Sequence, residues 1–192
     1  MIFCCIIFLY ISLILGGMPG AFGHLVGAWI FGLLFTRFRK TSLNRVQWAS
    51  LLFGGILPDI DFLVDWTTCI KIHRTITHSF LGSVMFALLF LFLLLCYKKF
   101  FNRKINICLP AILLLIGINL HIFLDLTTDS SGLQIFWPFQ RAWVTLAGQL
   151  QHNGYPPTYA QLKSNLNQTI FDMGLGVSWL MYLYLRKRLS FS

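Results

Sequence analysis

Phe80–Tyr97 reads FLGSVMFALLFLFLLLCY, 18 residues without a charge. A membrane-spanning helix needs about 20 mostly apolar residues, so this stretch suits a bilayer crossing. It decides the fold class. Ile105–Leu126 (INICLPAILLLIGINLHIFLDL) meets the same condition, with its polar residues gathered toward the far end. Working outward, Gly20–Phe38 and Thr169–Leu185 also fit crossings. Ile2–Leu15 and Val46–Leu57 are short and fit a tilted or partial entry. Pro58 disfavours helix at Leu57 and ends the second of these. The expectation is an all-α integral membrane bundle, one domain over residues 1–192, with about five to six membrane helices and a polar site on the outer face.

Composition supports this reading. Apolar residues make up 57% and charged residues 11%, with a mean hydropathy of +0.72. A soluble domain carries about a quarter charged residues, so this chain has too few to cover a wet surface. Disorder, coiled coil and a secreted disulfide mini-protein are excluded. The five cysteines form no C-x-x-C pair, and only Cys69 lies in a polar stretch, so no zinc knuckle or disulfide framework is expected. Met1–Leu15 lacks a basic n-region and a clear small-residue cleavage site, and reads as a retained helix, with a signal peptide as the alternative.

The net charge of +9 comes from 15 Lys+Arg against 6 acids, all of them aspartate. In a membrane protein the positions of charges matter more than their sum. Arg37, Arg39, Lys40 and Arg45 follow one segment; Lys98, Lys99, Arg103 and Lys104 follow another; Arg186, Lys187 and Arg188 follow the last. Six crossings put all of these on one side, which the positive-inside rule makes cytoplasmic, with both termini. The opposite, outer side receives all six aspartates with Lys71, Arg74, Arg141 and Lys163. This is a multi-pass topology in the inner membrane.

At the outer ends a ligand pattern emerges. His24 begins a helix; Asp59 and Asp61 follow Pro58; His73 and His78 precede Phe80; His121 and Asp125 close the Ile105–Leu126 segment. Imidazole plus carboxylate suits zinc, and iron or manganese less decisively. His121 and Asp125 are spaced i, i+4, which stacks them on one helix face. They sit toward a helix C-terminus, whose dipole favours a cation. His78 belongs to a helix N-terminus, with Thr77 or Ser79 as N-cap, and such an end disfavours imidazolium.

Each member has a plainer reading. His24 fits a hydrogen-bonded interfacial histidine, Asp59-Ile60-Asp61 a capping turn, and the His121–Asp125 pair a helix-packing hydrogen bond. His152 reads as a loop residue, and Asp65, Asp129 and Asp172 as solvated or interfacial acids without a ligand role. Together they are harder to dismiss. A charged aspartate at mid-bilayer costs about 2.5 to 3.5 kcal/mol on insertion scales. The outer side holds too few cations to pair six carboxylates, and one dication neutralises several.

The ordered set Leu57-Pro58-Asp59-Ile60-Asp61, His73-Arg74-x-x-Thr77-His78-Ser79, His121-x-x-x-Asp125-x-x-Thr128, then Gly132 and Trp137-Pro138-Phe139, resembles the membrane-bound metal-dependent hydrolase family, one branch of which is known as LexA-regulated. The resemblance runs from His24 to about Phe139. It implies a distant similarity to the all-helical zinc-dependent phospholipase C and single-strand nuclease group, which shares a His-x-x-x-Asp metal helix. Those enzymes also use a His-x-x-x-Glu pair, and this chain has no glutamate. One or two divalent ions, with zinc the leading candidate, are therefore expected rather than three.

The expected function is metal-assisted hydrolysis of a phosphoester at the outer membrane face. His24, Asp59, Asp61, His73, His78, His121 and Asp125 are the candidate ligands. Asp59 or Asp61 also bridges metals or takes the proton of water. Arg74 fits phosphate oxygens bidentately, or else snorkels at the interface. Trp137, Phe139 and Trp143 read as an aromatic belt at headgroup level. Such a site favours membrane lipids as partners, and phospholipid or lipid-linked phosphate over nucleic acid as substrate. Two rival classes are a metal or proton transporter, and a non-enzymatic protein whose metal staples the bundle.

Overall fold

The computed structural model describes residues 20–68, 73–102, 106–128, 132–140, 142–146 and 159–189. Six α-helices occur in it: α1 (Ala21–Arg39), α2 (Arg45–Gly54), α3 (Asp61–Thr68), α4 (Phe80–Phe100), α5 (Cys108–Thr128) and α6 (Tyr159–Leu189), with a 3₁₀ turn at Pro58–Ile60. The only β pairing among the described residues is one antiparallel bridge, Leu133 to Val144. The all-α expectation holds.

Three of these helices, α1, α4 and α5, are long and apolar enough to cross a membrane. Five or six is therefore more than the described residues supply. Val46–Leu57 corresponds to α2, which has only 10 residues. At 1.5 Å per residue it covers about 15 Å, half of a bilayer core. Asn44 starts it with a capping box, accepting from the Gln47 backbone while the Gln47 side chain accepts from the Asn44 N–H. Thr169–Leu185 lies within α6, which at 31 residues is long enough, but polar residues keep it outside the apolar class. Ile2–Leu15, Cys69, Asp129 and His152 lie outside the described residues.

Packing fixes the relative directions. Leu175 and Trp179 of α6 join Val26, Trp29 and Ile30 of α1 in one buried cluster, and Asp172 reaches the start of α1, so α1 and α6 run parallel. Asn119 of α5 meets Ser83 of α4, two buried-side polar groups satisfied between antiparallel helices. The exposed basic residues Arg37, Arg39, Lys40, Arg45, Lys98, Lys99 and Arg186 consequently gather at one end of the bundle. The histidine and aspartate motifs gather at the other.

The contact that matters most for the site is between α2 and α5. A Cβ built on Gly54 lies 2.4 Å from the Leu114 carbonyl oxygen, and one on Gly117 lies 2.3 Å from that of Leu51. Only glycine lets these backbones approach so closely, the small-residue packing common between membrane helices. Gly117→Val must push the helices apart, and overpacking of this kind costs about 1–3 kcal/mol. A clear drop in the thermal midpoint of the detergent-solubilised protein is the expected result. Gly174→Ala, where a Cβ meets nothing within 4 Å, should leave it unchanged. Equal midpoints for the two variants would refute the close approach.

Candidate metal centre

Four elements deliver the site. α1 presents His24 in its first turn. The N–H groups of Phe22 and Gly23 are bound by the Asp172 carboxylate at 3.1 and 2.7 Å. Asp172, expected to be a solvated or interfacial acid, is thus a cap supplied from α6, and it fixes the turn that carries His24. After α2, Pro58 opens the 3₁₀ turn that carries Asp59 and leads into Asp61. The 73–79 segment supplies His73, Arg74 and His78. Ser79 caps α4 by accepting from the Gly82 N–H, so of the two expected caps it is Ser79 that serves. α5 carries His121 and Asp125 on one buried face, as the i, i+4 spacing predicts. His121 lies seven residues, about 10 Å, inside the end of α5. The site is therefore sunk into the bundle rather than placed at its rim.

These side chains converge on one point. The His78 and His121 Nε2 atoms are 3.2 Å apart. Asp125 Oδ2 lies 3.3 Å from His121 Nε2 and 3.4 Å from His78 Nε2, and its Oδ1 lies 3.1 Å from His24 Nε2. Asp59 Oδ1 stands 3.5 Å from His121 Nε2 and 3.8 Å from His78 Nε2. The rings of His24 and His121 stack with centroids 3.7 Å apart. His24, His78 and His121 are all fully buried or nearly so.

The outer nitrogens decide what the inner ones can do. His121 Nδ1 is 2.8 Å from the Gly55 carbonyl oxygen, which can only accept. The proton therefore sits on Nδ1, and Nε2 turns a bare lone pair inward. His78 follows the same logic. Its Nδ1 is 3.0 Å from Thr77 Oγ1, whose own hydrogen is donated to Asp61, so the hydroxyl oxygen accepts from His78. Two imidazole lone pairs and two carboxylates then face each other, an arrangement that repels itself unless a cation sits among them. Donors about 2.0–2.1 Å from a tetrahedral zinc stand about 3.3 Å from one another, which matches the observed edges of 3.2, 3.3 and 3.4 Å. The buried Nδ1 of His24 has no hydrogen-bond partner among the described residues. The residues fit a divalent metal. Two adjoining groups could hold one: His24, His121 and Asp125, and Asp59, His73 and His78.

Behind this centre lies a supporting layer. Asp61 accepts from His73 Nδ1 at 2.7 Å and from the Thr77 hydroxyl. Burial acts to raise the Asp61 carboxyl, but hydrogen bonds from His73, His78 and Thr77 outweigh it and hold the group well below the usual carboxylate range. Burial likewise acts to lower His78, yet hydrogen bonds to Asp125 and Asp61 raise it to about 9. His73 Nε2 in turn accepts from Arg74 Nε at 3.2 Å. Arg74 has φ 67°, a left-handed conformation that costs a non-glycine residue about 1 kcal/mol or more. Its carbonyl accepts from the Gln134 N–H at 3.1 Å, tying the 132–140 segment to the residue that follows His73.

Every sequence-predicted site residue is brought into this region: His24, Asp59, His78, His121 and Asp125 around the centre, with Asp61, His73 and Arg74 behind or beside it. Three contributors were not foreseen. The Gly55 carbonyl has no side chain to signal it, Thr77 stands in the quoted motif and as a cap candidate without any sign of a relay, and Asp172 lies more than a hundred residues from the helix it caps.

An all-helical membrane protein with a buried histidine–aspartate centre is the class that fold and site define. Residues 18–189 match the YdjM inner membrane protein family, and the chain belongs to that family. Comparison with curated proteins gives no match. Comparison with solved structures gives none either.

Proposed function

We propose that this protein is a membrane-embedded, metal-dependent hydrolase of phosphoesters, working at the outer face of the inner membrane. The observation that carries the reading is the pair of inward lone pairs on His78 and His121, held beside Asp125 and Asp59 by partners on their outer nitrogens. A divalent ion bound by this set, zinc by donor preference, supplies a Lewis acid and brings the pKa of water to about 7.

The chain's own groups divide the remaining work. Asp59 is the ligand-set carboxylate with the most open edge, its side chain 24% exposed against 10% for Asp125. It takes the proton from water as the oxygen attacks phosphorus, and returns it to the leaving oxygen as that P–O bond breaks, so the leaving group departs as the alcohol. Arg74 pairs with the phosphate oxygens, its guanidinium offering two parallel donors. Asp61 holds His73 and, through Thr77, His78 in register. The open edge at Asp59 supports an enzyme over a closed structural staple. A transporter needs a polar path, yet between the site and the basic end α1, α2, α4, α5 and α6 carry no Asp, Glu, His, Lys or Arg.

The test is metal analysis of the purified protein together with a screen of phosphodiester and phospholipid substrates. Hydrolysis lost in chelator and restored by one metal is the expected result. Stoichiometric metal with no turnover of any ester would leave the staple. Sidedness is checked by thiol labelling in a background without the native cysteines. Asn153→Cys should react with an impermeant reagent in intact cells and Asn102→Cys should be shielded. The reverse pattern would move the site to the cytoplasmic face.

A further inference from the structure

Where the segment that carries His78 enters α4 runs an open groove of ≈ 730 Å³, walled by Phe80, Leu81 and Val84 of α4 and by Ile135, Phe136, Trp137 and Phe139. Among the described residues that line it, Gln140 alone carries an amide or charged side chain. We propose that this groove holds the upper part of one acyl chain of a membrane glycerophospholipid, with the lipid's phosphate directed toward Arg74 and the metal centre. The proposal rests on the phosphoester reading for the direction of the headgroup, while the groove itself is argued from its walls.

Three observations select this occupant. First, one wall belongs to α4, a candidate span of 21 residues with mean hydropathy 2.5 and little of its surface buried by the protein, so the medium outside is lipid. Second, beyond the groove α4 leaves Met85, Leu88 and Phe92 exposed, an apolar helix surface for the rest of a chain. Third, its upper end is joined to the site. The Phe80 N–H donates to the Ile135 carbonyl at 3.0 Å, and the neighbouring Gln134 N–H donates to the Arg74 carbonyl. Phe80 stands two residues after His78. A headgroup at Arg74 thus leaves its chains at the mouth of the groove. Phe139, 87% exposed, and Trp137 also line the groove, and such aromatic side chains favour the headgroup layer of a bilayer.

The experiment uses the full chain in phosphatidylglycerol vesicles carrying a trace of diacylglycerophospholipid with a diazirine in the upper third of one chain, next to the ester. After irradiation, cross-links are expected to concentrate on Phe80–Val84 and Ile135–Gln140. Val84→Trp, which fills the groove, should reduce them at least about tenfold, the factor that burial of two methylenes supplies. Phe136→Ala, which removes a wall, should reduce them by a second route if the larger residue disturbs folding. Leu180→Trp, on an exposed part of α6, should leave them unchanged. Cross-links spread evenly over all exposed apolar positions would mean annular lipid only and would overturn the proposal. Where hydrolysis is found, Val84→Trp should slow long-chain phospholipid at least about tenfold and spare a short-chain soluble phosphodiester. Groove-specific cross-links without any hydrolysis would sink the phosphoester reading and leave the acyl-chain site standing.

Discussion

Alanine at His121, or at Asp125, is expected to cost at least about 100-fold in metal affinity and to abolish hydrolysis, while the protein still inserts. Loss of a residue that merely orients a metal ligand costs about 10- to 100-fold, so loss of a ligand sets that range as its floor. The two positions are linked through more than each other. Asp125 receives His24 on one oxygen and faces His121 and His78 with the other. Its removal strands three imidazoles in an apolar bundle. His121 is the residue whose tautomer is fixed by a backbone carbonyl, so its Nε2 has no alternative use. Metal content after gel filtration, and affinity by competition with a chromogenic chelator, measure the effect. Metal retained with full affinity in Asp125→Ala would reduce the pair to a helix-packing contact and remove the chief support for a metal enzyme.

Much of this site could be read from the chain because its ligands come in local motifs on regular elements. The i, i+4 spacing of His121 and Asp125 determines a shared face wherever a helix forms, and 21 residues from Cys108 to Thr128 do form one. Gly20–Phe38 and Phe80–Tyr97 likewise coincide closely with α1 and α4. What escaped depends on packing between distant segments. The depth of the site follows from α2 being half a span long and wedged against α5 at Gly54 and Gly117, which no periodicity encodes. Gly55 acts through its carbonyl, Asp172 through a cap across the bundle, and Thr77 through a relay from Asp61 to His78. Hydropathy also counted Thr169–Leu185 with the crossings, although Asp172 within it serves α1 rather than a solvated surface.

Asp59→Asn and Asp61→Asn should fail in different ways, and the difference carries the division of labour between the two carboxylates. Asparagine at 59 keeps an oxygen within reach of the centre but cannot take a proton. Loss of a general base lowers the rate about 10²–10⁴-fold, so turnover should collapse while bound metal stays within about tenfold of the parent protein. Asp61 is in another position altogether. Its oxygens accept from His73 and Thr77, and its side chain is only 1% exposed, leaving no edge for substrate or water. The Asp61→Asn amide must present a donor where two donors already point, which loosens His78 and weakens metal binding about 10- to 100-fold. Excess metal should then restore much of the Asp61→Asn activity and none of the Asp59→Asn activity. Full turnover in Asp59→Asn would exclude it as the base. Metal loss of equal size in both variants would mean that the two aspartates hold the ion alike, and that the open edge at Asp59 is an accident of packing.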